Sequence, residues 1–247
     1  MRKLILHIPH SSTLFPFKEG FVLEEGLLEK EILKLTDWYT DDLYEHPDCI
    51  SVKAEFSRLF CDPERFVDDE QEPMAKSGMG VLYTKTDEGR TMRICTDALR
   101  ARILEDYYYP HHARLNAAVN DQLSQFGKAL ILDCHSFPPK PLLRNSDQSF
   151  PRPEINIGTD AFHTSERLKE ISMNFFLDKK YTCKLDSPFT GSIVPMEHYQ
   201  KNTNVQSVLL EVNRALYLDG DTNRKSSSYS KTKAVVQEYI VLLQKEL

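Results

Sequence analysis

Residues 128–136 read Lys-Ala-Leu-Ile-Leu-Asp-Cys-His-Ser. An apolar run that stops abruptly in Asp133, His135 and Ser136 is the pattern of a strand covered on both faces, with polar groups delivered only at its carboxyl end. The pattern recurs twice. Leu4-Ile5-Leu6-His7-Ile8-Pro9-His10 ends in His10, and Val208-Leu209-Leu210-Glu211-Val212-Asn213-Arg214 carries Glu211. Ligands of open α/β sheets bind at the carboxyl ends of strands. Two imidazoles and a carboxylate converging there are the raw material of a catalytic zinc site.

The rest of the chain alternates in the same way. Strands are predicted over 3–9, 49–55, 128–134, 154–158, 181–185 and 206–213. Helices are predicted over 23–46, where Leu28, Ile32, Leu35, Tyr39 and Leu43 form one stripe, and over 97–126, interrupted at Pro110. Further helices are predicted from a cap at Thr164 or Ser165 to about 178, and over 228–246. Residues 62–95 mix charge, glycine and methionine and read as a long functional loop with a hairpin. Residues 137–153, rich in proline and carrying Arg144 and Arg152, read as a loop over the sheet. This order predicts one domain over 1–247, a three-layer α/β/α sandwich around a mainly parallel, mixed sheet.

Composition narrows the function. A net charge of −6 points away from nucleic acid. No apolar run reaches the roughly 20 residues that span a bilayer. The N-terminal Met1-Arg2-Lys3-Leu4-Ile5-Leu6 imitates a signal peptide, but the apolar part stops at His7. The five cysteines, Cys49, Cys61, Cys95, Cys134 and Cys183, are scattered without a CxxC pair. The expectation is a cytoplasmic protein with reduced thiols. Cys134 invites a nucleophilic reading, yet strand alternation points it away from Asp133 and His135.

Zinc hydrolases use three protein ligands and a nearby unligated carboxylate as base. His10 and His135 are candidate ligands and Glu211 a candidate base. For the third ligand, Asp37 and Asp41 stand i, i+4 on the predicted helix 23–46, although a solvated acidic face or a helix cap explains them too. Arg58, Arg65 and Arg214 suit an anionic substrate, or pair structurally with Asp62, Glu64 or Asp133. His111-His112 follow Tyr107-Tyr108-Tyr109-Pro110, where a broken helix can push a histidine into a site. His7 stands out of phase with His10 on its strand.

These residues resemble the N-formylglutamate amidohydrolase family. The likeness runs through Ile8-Pro9-His10-Ser11, Thr36-Asp37-Trp38 with Asp41, Ser57-Arg58 with Asp62 and Arg65, and Gly80-Val81-Leu82. It continues through Pro110 with His112, Asp133-Cys134-His135-Ser136, Glu154-Ile155-Asn156-Ile157-Gly158-Thr159, Pro188-Phe189-Thr190-Gly191, and Leu210-Glu211 with Leu216-Tyr217. The resemblance implies a zinc carboxypeptidase-like fold and one Zn²⁺ held by His10, Asp37 and His135, with Glu211 as general base. It also implies a substrate site drawn from Arg58, Arg65, Arg214, His112 and Ser136. The implied activity is amide hydrolysis of a small anionic N-acyl amino acid such as N-formylglutamate, as in histidine catabolism. A non-catalytic metal or amino-acid binding relative and a peptidoglycan-type zinc amidase are the alternatives. The chain departs from the family pattern at Glu64, at Thr190-Gly191-Ser192 and at His111.

Overall fold

A computed structural model describes residues 2–246. Six strands form one sheet: β1 (Ile5–Ile8), β2 (Ile50–Lys53), β3 (Ala129–Phe137), β4 (Ile155–Gly158), β5 (Cys183–Leu185) and β6 (Val205–Asn213). Their spatial order is β2-β1-β3-β6-β4-β5. β2, β1, β3 and β6 run parallel, and β4 pairs antiparallel to β6 with β5 parallel beside it. The three strands whose ends carry polar groups are therefore neighbours at the centre of the sheet.

Alternation divides each central strand between two layers. Leu4, Leu6 and Ile8, then Leu130, Leu132 and Cys134, then Val208, Leu210 and Val212 pack in one core. That core also holds residues of α2 (Thr40–Leu43), α5 (Glu166–Asp178) and α6 (Tyr229–Lys245). On the opposite face Ile5, Ala129, Ile131 and Val205 meet Leu115 and Val119 of α4 (Tyr109–Phe126). The predicted three-layer sandwich is the observed one. Cys134 lies fully buried in the first core, away from Asp133 and His135.

The second face changes character along each strand. Ile5 gives way to His7, Ile131 to Asp133 and His135, and Leu209 to Glu211. His135 and Glu211 are register partners on β3 and β6. Because each strand is long enough to keep its amino-terminal half apolar, the polar half can be buried without unfolding the layer.

Two predicted helices differ in detail. The helix expected over 23–46 is two: α1 (Glu25–Leu35) and α2. Thr36 leaves the helix at ψ 135 and Tyr39 takes the left-handed region at φ 62. Asp37 lies in this break, where its backbone N–H donates to the His10 carbonyl at 3.0 Å. Asp37 and Asp41 therefore do not share one continuous helix face. The 97–126 segment is not cut at Pro110. α3 (Asp97–Ile103) passes through a π-helical turn at Leu104–Tyr108 into α4, and Pro110 occupies the first turn of α4. Proline has no N–H to give the helix ladder, and the widened π turn just before it accommodates the missing bond. Residues 62–95 are mostly irregular, with a 3-10 turn at Pro73–Ser77 and an antiparallel bridge Lys85↔Thr91.

Candidate active site

The strand ends and the Thr36–Tyr39 break put three donor atoms in one place. His135 Nδ1 lies 3.3 Å from His10 Nδ1 and 3.2 Å from Asp37 Oδ2. The third side of the triangle, His10 Nδ1 to Asp37 Oδ2, is 3.7 Å. A tetrahedral ion with bonds of about 2.0–2.1 Å sets neighbouring donors about 3.3–3.4 Å apart. The triangle fits a zinc-sized ion. All three residues are buried.

The outward nitrogens make the same point. With Nδ1 of each ring facing the triangle, His10 Nε2–H donates to Asp62 Oδ1 at 2.8 Å. His135 Nε2 faces Glu64 Oε2 at 3.0 Å and Asp133 Oδ1 at 3.2 Å. A carboxylate behind each imidazole is the usual way a ligating histidine is oriented and made more basic. Burial works against charge on His135, but Glu64 and Asp133 pull its pKa well above the ordinary range. Burial also opposes an ionised Asp37, yet His10, His135 and Arg214 hold its carboxyl well below the usual carboxylate values.

Charged groups crowd the triangle. Asp37, Asp62, Glu64, Asp133 and Glu211 surround the triangle, with Arg58, Arg65 and Arg214 as their arginine partners or neighbours. Lys34 also borders the cavity, but it is engaged by Glu31 and Glu88.

Glu211 is the exception among these acids. It is 7% exposed, and among the described residues its carboxylate has no hydrogen-bond partner. Burial pushes its pKa up to about 8. An unpartnered buried carboxylate is costly, and this one faces the cavity that His10, Asp37 and His135 line. Arg214 does not pair with it.

The candidate arginines divide. Arg214 spends every nitrogen: Nε on Ser136 Oγ at 3.3 Å, Nη1 on the Lys34 carbonyl at 2.7 Å, and Nη2 on Asp37 Oδ1 at 2.9 Å. Ser136 joins the same support, its backbone N–H donating to Asp37 Oδ2. Arg58 chelates Asp62 Oδ2 through Nε and Nη2. Arg65 donates to the carbonyls of Met79 and Glu64. His112 lies off the central cavity; it hydrogen-bonds the Pro63 carbonyl at 2.8 Å and lines an adjoining pocket of about 320 Å³.

A model of the N-formylglutamate amidohydrolase family matches residues 2–218. The chain belongs to this family. An N-formylglutamate deformylase of Pseudomonas putida is 25% identical over 231 residues, covering 87% of this chain and 82% of that one. The crystal structure of an N-formylglutamate amidohydrolase from Ralstonia eutropha JMP134 superposes with a TM-score of 0.86 at 23% identity, covering 99% of this chain and 94% of the other. A gene product of Agrobacterium tumefaciens shares the fold at a TM-score of 0.69 and 17% identity, over 99% and 90% of the two chains.

Within the family framework, several residues expected at most to pair with arginines belong to the site. Asp62, Glu64 and Asp133 stand behind the imidazoles. His7 joins them: its Nδ1 is 2.8 Å from Asp133 Oδ1, and its Nε2 is 2.9 Å from His111 Nε2. Burial lowers the His7 pKa, but Asp133 and Glu64 outweigh it and raise the group to about 9. His7 is out of phase with His10. The strand ends at Ile8, however, so alternation does not govern His10, and His7 shares its face with Asp133 and His135. The phase relation to His135 was the available signal.

Proposed function

We propose that this chain is a metal-dependent amidohydrolase that cleaves the amide of a small N-acyl amino acid, with zinc as the ion and N-formylglutamate as the reference substrate. The observation that supports this best is the inward-facing triangle of His10 Nδ1, His135 Nδ1 and Asp37 Oδ2, with sides of 3.2–3.7 Å. His10, Asp37 and His135 would hold the ion. A bound zinc ion supplies Lewis-acid polarisation of the acyl carbonyl and acidifies water at the site.

The remaining steps belong to the chain. Glu211 takes the proton of the attacking water and returns it to the departing nitrogen. A divalent ion held by His10, Asp37 and His135 would favour the ionised form of Glu211, which is the form that accepts the proton. Arg58 and Arg65 anchor the substrate carboxylate by charge-assisted hydrogen bonds. Asp62, Glu64 and Asp133 hold the imidazoles, and Arg214 with Ser136 holds Asp37.

Release of formate from N-formyl-L-glutamate, followed before and after chelator treatment, tests the reading. Activity should disappear on chelation and return with about one equivalent of zinc. Full activity in protein that contains no metal would contradict it.

A further inference from the structure

Arg152 is a buried arginine with no acid of its own. Arg58, Arg65 and Arg214 each lie 2.9–3.9 Å from a buried carboxylate. Among the described residues Arg152 has no such partner, although it is only 7% exposed. Its Nη2 donates to Asn145 Oδ1 at 2.9 Å and to the Asp147 carbonyl at 3.1 Å, and its Nη1 reaches the Pro138 carbonyl at 3.5 Å. Among the described residues Nε has no partner. A buried guanidinium without a counter-charge is costly, and burial depresses its pKa. Stacking on Phe137 and Phe189, whose ring centroids lie 5.8 and 5.4 Å from Cζ, offsets only part of that cost.

These contacts set Arg152 against the wall of the central cavity. Phe137, Pro138, Asn145 and Phe189 all line that cavity, which measures about 180 Å³. Asn145 Oδ1 accepts from the Leu142 N–H at 2.8 Å as well as from Arg152. Its oxygen is thereby used, and the amide Nδ2 is left as a donor to which no described residue offers an acceptor. Arg152 Nε and Asn145 Nδ2 are two uncommitted donors, one of them charged, on one stretch of wall. A carboxylate satisfies such donors and neutralises the guanidinium. Arg58 and Arg65 belong to the loop after β2, and Arg152 stands just before β4. In the strand order these two sets lie on opposite sides of β3 and β6, which carry His135 and Glu211.

We propose that Arg152, with Asn145, holds a second substrate carboxylate, the one that ends the side chain, and is the residue by which the site selects N-acyl amino acids with acidic side chains. The α-carboxylate stays with Arg58 and Arg65. The inference rests on the amidohydrolase reading for the reacting end of the substrate, but the discrimination is measurable without turnover.

The test compares N-formyl-L-glutamate with N-formyl-L-glutamine, which keeps the shape and lacks the side-chain charge. On zinc-supplemented wild type, kcat/KM should favour the glutamate derivative at least tenfold; equal values would overturn the proposal. Arg152→Met should cut that ratio at least tenfold, through KM for the glutamate derivative, and leave the glutamine derivative within a few-fold. A merely structural arginine would weaken both substrates alike, and that result, or an unchanged ratio, would overturn the proposal. Should Arg152→Met fail to fold, Asn145→Ala takes its place. It removes the donor in the lining and should cut the ratio at least threefold, whereas an unchanged ratio overturns the proposal. Calorimetric titration of both compounds into zinc-supplemented Glu211→Gln reads the same preference without hydrolysis. If this variant binds the glutamate derivative at least tenfold tighter while the wild type hydrolyses neither compound, the hydrolase reading fails and the subsite stands. If it binds both equally or neither, the subsite fails.

Discussion

Arg214 illustrates why a residue's type does not fix its job. As a buried cation three positions after Glu211 it suits a substrate anion, but its nitrogens are consumed by Asp37, Ser136 and the Lys34 carbonyl. It holds Asp37 in place. Arg214→Ala should therefore weaken zinc affinity by about 10–100-fold, the usual effect of losing an orienting partner, and should leave the KM of zinc-saturated enzyme within a few-fold. Competition with a chromophoric chelator measures the first, and a large rise in KM at saturating zinc would return Arg214 to the substrate. Glu211 supports a second expectation. Its proton is held more tightly in the fold than in the unfolded chain, because burial raises its pKa from 4.5 to about 8. That contribution to stability is complete below the unfolded value and is lost as pH rises through the folded one. In metal-free protein the melting temperature of Glu211→Gln should thus gain on the wild type between pH 5 and 9. A difference that stays constant over this range would show that Glu211 does not titrate there.

At the scale of elements, the decisive feature is the break at Thr36–Tyr39. Continuous apolar spacing from Leu28 to Leu43 reads as one helix, and the break is invisible to periodicity because both halves keep their buried stripe. What breaks it is tertiary: the Asp37 N–H is captured by the His10 carbonyl, and Tyr217 Oη donates to the Trp38 carbonyl at 2.9 Å. The strand ends were legible for the opposite reason, since an apolar run that stops in His or Glu can be read locally at Leu132–His135 and Leu210–Glu211. The carboxylates behind the imidazoles, Asp62 and Glu64, come from an irregular loop whose path no local pattern encodes. α2 has its own anchor. Asp42 accepts from Lys233 at 2.6 Å and from Tyr229 at 2.7 Å, both on α6, and from Lys225 at 2.7 Å. These hydrogen bonds, led by that of Lys225, hold its carboxyl well below the usual range. Such a group stabilises the fold above its unfolded pKa, and the contribution fades as pH falls. The site is partly solvated, so Asp42→Asn should cost only about 1 kcal/mol near pH 7. Urea melts should show that gap closing below about pH 4; a gap that persists in acid would mean that packing, not charge, is lost.

For the whole molecule, fold and site are one construction. β1, β3 and β6 are adjacent and parallel, so three separate stretches of sequence deliver His10, His135 and Glu211 to one end of the sheet. The apolar halves of the same strands form the core that fixes them. No helix among the described residues is long and apolar enough to cross a membrane. A bound metal would also add to the stability of the fold. Zinc at about one hundred times its dissociation constant adds about 2.7 kcal/mol by mass action. Chelation should accordingly lower the melting temperature by about 5–10 °C for a chain of this length, and an unchanged melt would mean that the triangle binds no ion. The most direct measurement is the zinc content of purified protein by plasma mass spectrometry, for the wild type, His135→Ala and Glu211→Gln. About one equivalent in the wild type and in Glu211→Gln, with less than about one tenth in His135→Ala, is the expected result, because three protein ligands are needed to hold the ion and the base is not one of them. Full occupancy in His135→Ala, or loss of zinc in Glu211→Gln, would contradict the assignment of His10, Asp37 and His135 as the metal ligands.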